Sequence, residues 1–284
     1  MNLNKSEKET YKTTKMKIRI VAILLSLFST FAINAQTKPF NIGKIAEIKS
    51  PILNEKRTLN IYLPDGYNTK ERYPVIYLLD GSANEDFLHI VGLVQFFKMT
   101  FNMPKTIVVG IANVDRKRDL TFPTKIEDLK KKYPTTGGSA KFIDFVEKEL
   151  QPYIKANYKI NDTSYVIGQS LGGLLATEIL LKKPDMFTNY IIVSPSLWWD
   201  DESLLKAAPS LLSTQTDSQK WVYISVGSEG KEMEEDAAGL VQALQNSGKK
   251  NLKVDFIPLP KENHATILHN SIYEAFKILF PYKE

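Results

Sequence analysis

The sequence contains no cysteine. Disulfides, thiolate metal sites, a cysteine nucleophile and a lipid-modified N-terminal cysteine are therefore excluded. Histidine is nearly absent as well: three occur among 284 residues, at 89, 264 and 269, so few side chains can serve as a base near neutral pH. Glycine and proline number 14 each, too few for a collagen-like or low-complexity chain. What remains, 43% hydrophobic and 24% charged, is the balance of a globular protein with material for a full core. No Pro/Gly/Ser-rich linker divides the chain after its first forty residues, so a single folded domain over residues 36–284 is expected.

The N-terminus alters the meaning of the formal charge of +5. Lys15, Lys17 and Arg19 precede an apolar run from Ile20 to Ile33, followed by Asn34-Ala35-Gln36. That is the layout of a secretory signal over residues 1–35, with Met16 the more natural start and cleavage expected after Ala35. The run is short for a membrane span, and no membrane association is expected once it is removed. Residues 1–35 hold six Lys/Arg and two Glu, leaving 31 basic against 30 acidic residues. The basic excess leaves with the signal and gives no reason to expect a nucleic-acid partner.

From Phe40 onward, strand-like and helical patterns alternate. Lys44–Lys49 and Arg57–Leu63 read as an opening antiparallel pair. Six apolar runs follow: Val75–Leu79, Ile107–Ile111, Tyr165–Ile167, Tyr190–Val193, Val222–Val226 and Val254–Leu259. Such runs belong to strands covered on both faces. Helical stretches lie between them at about Asp86–Phe101, Ala140–Ala156, Leu171–Leu181, Glu232–Asn246 and Thr266–Phe280. The alternation predicts an α/β fold, a doubly wound, mostly parallel eight-stranded sheet with helices on both faces. In such a sheet chemistry is sought just beyond the carboxyl ends of the strands.

One strand end is specific. Tyr165-Val166-Ile167 runs into Gly168-Gln169-Ser170-Leu171-Gly172-Gly173 and then an apolar helix, which is Gly-x-Ser-x-Gly in the strand–turn–helix setting of a nucleophile elbow. Side chains at 168 and 172 are expected to clash in so tight a turn. A P-loop would end in Lys-Ser/Thr, which is missing here. A serine hydroxyl needs a base and a carboxylate behind it, in chain order Ser, acid, His. His264 follows the last strand and starts the last helix, on the rim that carries Ser170. His89 and His269 fall inside helices. The acid should follow Trp221–Val226; Glu229, flanked by glycines, is favoured, with Glu232 second because it suits the first turn of a helix.

Four segments carry a resemblance: Pro74–Gly81, Arg116-x-Arg118-Asp119-Leu120-Thr121, Gly168–Leu174 and Ser194–Asp200. Over about residues 40–282 the chain resembles the esterase family of α/β hydrolases, in the branch of the siderophore trilactone esterases. Feruloyl and acetyl-xylan esterases and S-formylglutathione hydrolase are wider relatives. Phe122 departs from the pattern by standing between Thr121 and Pro123. The resemblance implies an oxyanion hole made by the N–H of Leu171 and an N–H of the loop after Val75–Leu79, with Ser82 as donor and Gly81 as the alternative. It implies a serine esterase acting on small-molecule or glycan-linked esters, with no metal or other cofactor. Residues 115–138, rich in lysine and arginine, are expected to cover the site in part. Within them Arg118 is a candidate contact for an anionic substrate, or else an ion-pair partner of Asp119. Trp198 and Trp199 are candidate walls of the acyl pocket, or else core residues. Two other readings use the same residues: acyl transfer to a sugar or lipid hydroxyl, and a silent binding protein for a chelate or glycan.

Overall fold

The computed structural model describes residues 4–28 and 37–282. The chain divides into two units, residues 1–41 and 42–284. In the first, Lys5–Phe28 forms helix α1, and Ile20, Val21 and Ile23 on it are exposed. The expected cleavage point after Ala35 lies outside the described residues. Among the described residues no helix is long and apolar enough to cross a membrane.

The second unit is built on eight strands: β1 Lys44–Ser50, β2 Glu55–Tyr62, β3 Tyr73–Leu78, β4 Ile107–Ile111, β5 Ile160–Gln169, β6 Asn189–Val193, β7 Lys220–Ser225 and β8 Leu252–Phe256. They form one sheet in the order β1-β2-β4-β3-β5-β6-β7-β8. The pairs β1·β2 and β2·β4 are antiparallel, and the other five are parallel. β3, β4 and β7 are buried along their whole length, as strands covered on both faces are, although β7 begins with Lys220 and ends with Ser225.

Each face of the sheet carries its own apolar layer. Helices α2 Phe87–Thr100 and α10 Ile267–Leu279 pack on one side, where Phe97, Phe276 and Ile272 are fully buried. The other side is covered by α3 Arg116–Leu120, α5 Ser139–Phe145, α6 Gln151–Asn157, α7 Leu171–Lys182, α8 Trp199–Ser213 and α9 Lys231–Gln245, with the exposed helix α4 Glu127–Lys132 between α3 and α5. This is the α/β-hydrolase fold. A π-helical turn, Val146–Leu150, joins α5 to α6. There Glu149 reaches back to the start of the chain's fold, accepting from the Ser50 hydroxyl and, at 3.1 Å, from Ile52 N–H.

Helices α3 and α8 have no counterpart in the sequence pattern. α8 opens with three left-handed residues, Asp200, Asp201 and Glu202 (φ 53°, 55° and 55°). Long-range bonds hold them: Asp200 Oδ1 accepts from the Thr124 hydroxyl at 2.7 Å and from Lys125 N–H at 2.8 Å. A local hydrophobic period cannot register such partners.

Candidate active site

The elbow is a backbone solution before it is a chemical one. β5 ends at Gln169 and α7 begins at Leu171, so Ser170 turns the chain alone, at φ 59° and ψ −119°. A non-glycine residue there costs about 1–3 kcal/mol and persists only when its surroundings impose it. They do: Ser170 N–H donates to Val193 O at 3.0 Å, and Ser170 O accepts from Leu174 N–H at 2.9 Å and Ser196 N–H at 3.0 Å. A Cβ at Gly168 would lie 2.3 Å from Gly172 O. At Gly172 itself the nearest atom would be 3.3 Å away, whereas at Gly173 the Pro195 Cα would be 2.9 Å away. The expected clash at 172 is thus corrected: the second crowded position is 173, which packs on the chain after β6.

His264 follows β8, and its Nδ1 meets the Glu229 carboxylate. Glu229 follows β7, its side chain is 3% exposed, and its other oxygen accepts from the Ser194 hydroxyl and, at 3.0 Å, from Gly227 N–H. With Nδ1 committed to the carboxylate, Nε2 is the nitrogen left to accept a proton. Glu232, the second candidate, is exposed in the first turn of α9. Glu234 from the same turn accepts from the backbone N–H groups of Glu229 and Gly230, at 3.1 and 3.2 Å. Gln169 Nε2 donates to His264 O at 2.5 Å, tying the histidine loop to the elbow.

Ser170 and His264 line one cleft of about 400 Å³ together with Asp80, Glu85, Asp86, Arg116 and Gln169. The Ser170 hydroxyl hydrogen-bonds to Ser196 Oγ at 3.3 Å rather than to His264. Ser196 is 2% exposed, and nothing in the local pattern of Ser194-Pro195-Ser196 distinguished it from an ordinary turn. A larger hollow of about 980 Å³ lies at the amino ends of β5–β8, lined by Lys220, Trp221 and Lys253 among others. It holds no nucleophile–base pair, and it sits at the strand ends where this architecture does not place ligands.

The loop in which an oxyanion donor is expected follows β3. Gly81 N–H donates to Ile111 O at 3.0 Å, so it is engaged in the sheet. A Cβ at Gly81 would sit 2.4 Å from the Gly110 Cα, which accounts for glycine there. Buried Asn60 fixes the same residue through a 2.8 Å bond from Nδ2 to Gly81 O. That leaves Ser82 N–H on one side and the first-turn N–H of Leu171 on the other, the latter without an intrahelical acceptor by its position.

Charge in the cleft comes from both signs. Arg116 grips Asp80 with two bonds, Nε to Oδ1 at 2.6 Å and Nη2 to Oδ2 at 2.9 Å, and reaches Gln169 O at 3.4 Å. Burial lowers the guanidinium pKa, but the bonds to Asp80 and the charges of Asp80, Glu85 and Asp86 outweigh it, so that it lies above its ordinary value. Burial beside Asp80 and Glu85 pushes the Asp86 carboxyl up to about 6.

Two substrate-contact expectations are corrected. Arg118 does not line the cleft; Nε donates to Asp119 at 2.7 Å and Nη2 to Glu55 at 2.8 Å. Those two acids also pair with the fully buried Arg57. Bonds to Asp119 and Glu55 outweigh burial and hold the Arg118 guanidinium well above its usual pKa. The cleft arginine is Arg116, two residues earlier. Trp199 is 0% exposed, and its Nε1–H donates to Phe122 O at 2.9 Å, so it is a core anchor and not a pocket wall. Phe122, the departure from the family pattern, supplies that acceptor. Trp198 is half-buried against the core beside Trp199 and is not among the residues that line the cleft.

Comparison with known proteins agrees with this architecture. A family profile described as "Putative esterase" matches residues 50–265. The ferri-bacillibactin esterase BesA of Bacillus subtilis is 30% identical over 248 residues, 79% of this chain and 85% of that protein. The structure of an IroE-like serine hydrolase from Shewanella oneidensis superposes with a TM-score of 0.77 at 29% identity, covering 84% of this chain and 80% of that one. The BES protein of Bacillus cereus gives 0.76 at 28% identity, covering 86% and 98%. By its sheet order, its elbow and these matches, the chain belongs to the esterase family of α/β hydrolases.

Proposed function

We propose that the protein is an exported serine esterase that cleaves siderophore-type trilactones or related aromatic acyl esters through an acyl-enzyme. The observation that carries this reading is the strained Ser170, facing the same cleft as a histidine whose Nδ1 rests on a buried carboxylate. The substrate class follows the names of the relatives, a ferri-bacillibactin esterase and an IroE-like serine hydrolase.

In this reading the Ser170 hydroxyl rotates from Ser196 toward His264 Nε2, which takes its proton as Oγ bonds to the ester carbonyl carbon. Glu229 holds the imidazole tautomer and stabilises the imidazolium. The oxyanion is received by the N–H groups of Leu171 and Ser82, each supplying about 3 kcal/mol of transition-state stabilisation. Collapse breaks the carbonyl–alkoxide bond, His264 returns its proton to the leaving oxygen, and a water activated by His264 releases the acid.

Labelling with a fluorophosphonate and a hydrolysis screen over a catecholate trilactone, feruloylated sugars and acetylated xylan test the assignment. Ser170→Ala is expected to abolish labelling and to lower the rate by roughly 10⁴-fold or more. A Ser170→Ala protein that still labels and still turns over ends the reading. For export, the protein is expected outside the cytoplasm with its N-terminus at Gln36; protein confined to the cytoplasm with an intact N-terminus removes that part alone.

A further inference from the structure

Ser82 N–H is not empty. The loop after β3 turns tightly, with Glu85 N–H donating to Ser82 O at 3.0 Å. The Glu85 side chain folds back over that turn, so that Oε2 accepts from Ser82 N–H at 3.3 Å. Asn113 Nδ2 steadies the same carboxylate from the end of β4, at 3.2 Å from Oε1 and 3.3 Å from Oε2. Glu85 is exposed and lines the cleft with Ser170 and His264. Partial burial raises its pKa, but hydrogen bonds from Ser82 and Asn113 and the nearby Arg116 charge outweigh it and hold it below the ordinary glutamate value.

A backbone N–H has one hydrogen to give. An ester oxygen becoming an oxyanion must lie about 2.7–3.1 Å from its donors. It cannot do so at Ser82 while a carboxylate holds that N–H, and the negative charge beside it would oppose the one developing on the substrate. When displaced, the carboxylate still has Asn113, whose Nδ2 also donates to Asp80 Oδ1 at 2.7 Å, and the Arg116 charge nearby.

Building on the esterase reading, we infer that Glu85 is a resident occupant of the Ser82 half of the oxyanion hole, which each ester carbonyl must displace. Glu85 is thus a positioning residue: it keeps the donor aimed into the cleft in the resting enzyme and sets a threshold that weakly bound esters meet poorly. Glu85→Gln keeps the length and an acceptor oxygen but removes the charge.

The experiment compares the full protein with Glu85→Gln and Glu85→Ala on short p-nitrophenyl esters, and measures inhibition by an alkyl boronic acid, whose tetrahedral adduct mimics the oxyanion. Glu85→Gln is expected to raise kcat/KM by about threefold to tenfold and to tighten boronate inhibition by a similar factor, because both depend on the same donor. Thermal melting checks that the loop still folds. Glu85→Gln activity and boronate affinity equal to or below those of the wild type, in a protein that melts normally and depends on Ser170, overturn this inference alone. Turnover that survives Ser170→Ala removes the esterase reading and this one with it.

Discussion

The elbow at Gly168–Gly173 and the segment at residues 115–138 both contribute to the cleft, and they hold their shapes by different physics. At the elbow, backbone lies on backbone, with no room for a methyl group at 168 and one residue in a strained conformation. The 115–138 segment is held by charge and by single long-range bonds: Arg118 and Arg57 share Asp119 and Glu55, Asp200 receives Thr124 and Lys125, and Trp199 caps Phe122 O. Steric fit of the first kind fails all at once. Pairing of the second kind fails in proportion to how deeply the charge is buried.

The sharpest test of the contrast is Gly168→Ala. A Cβ set against the Gly172 carbonyl has no flexible neighbour to push aside, and a loss of about 4 kcal/mol or more is expected, read as loss of folded protein in thermal melts. An alanine variant that melts like the wild type breaks the steric account of the elbow.

Within the charged segment the expectation is graded. Asp119→Ala leaves the guanidinium of Arg57, fully buried beside Phe142 and Phe145, with Glu55 as its remaining acid, and about 2–3 kcal/mol should be lost in denaturant unfolding. Arg118→Ala removes a side chain that is one-third exposed, and about 1 kcal/mol or less is expected. Equal losses from the two would mean that the quartet does not act through burial.

Arg116 lies two residues from Arg118 but lines the cleft with Ser170 and His264. Arg116→Ala is expected to lower kcat/KM by about tenfold to a hundredfold, through the released Asp80 loop and elbow carbonyl, while moving the melting temperature little. Arg118→Ala should leave kcat/KM within about twofold. The reverse pattern in steady-state kinetics would assign the cleft to the wrong arginine.

A further effect concerns a buried carboxyl with one oxygen left without a hydrogen bond. Asp236 on α9 is 4% exposed, and its Oδ2 has no hydrogen bond. Burial, with Glu202, Glu232 and Glu235 nearby, pushes its pKa up to about 6, from 3.8 in the unfolded chain. The folded state therefore binds more protons than the unfolded state between about pH 4 and pH 6, and this residue costs stability as pH rises through that window. Asp236→Asn is expected to raise the melting temperature at pH 7.5 and to leave it nearly unchanged at pH 4. A variant equally stabilised at both values would refute the charge as the cause.

The strand–helix alternation, the eight-stranded sheet, Ser170 in its elbow and the candidates Glu229 and His264 were readable from local pattern and chain order. Apolar period, glycine spacing and the rule that chemistry follows strand ends act over a few residues, so the chain states them directly. It was the folded molecule that decided which arginine faces the cleft, that Trp199 is a core anchor for Phe122, that the Ser170 hydroxyl rests on Ser196, and that the Glu85 carboxylate bonds to Ser82 N–H. In each case the partner is set by a side chain's direction and by the depth of its burial, and only the packed chain defines those. Arg116 and Arg118 make the point most simply: they share one helix and carry the same charge, and three-dimensional neighbours alone send one to the cleft with Ser170 and the other to Glu55 and Asp119.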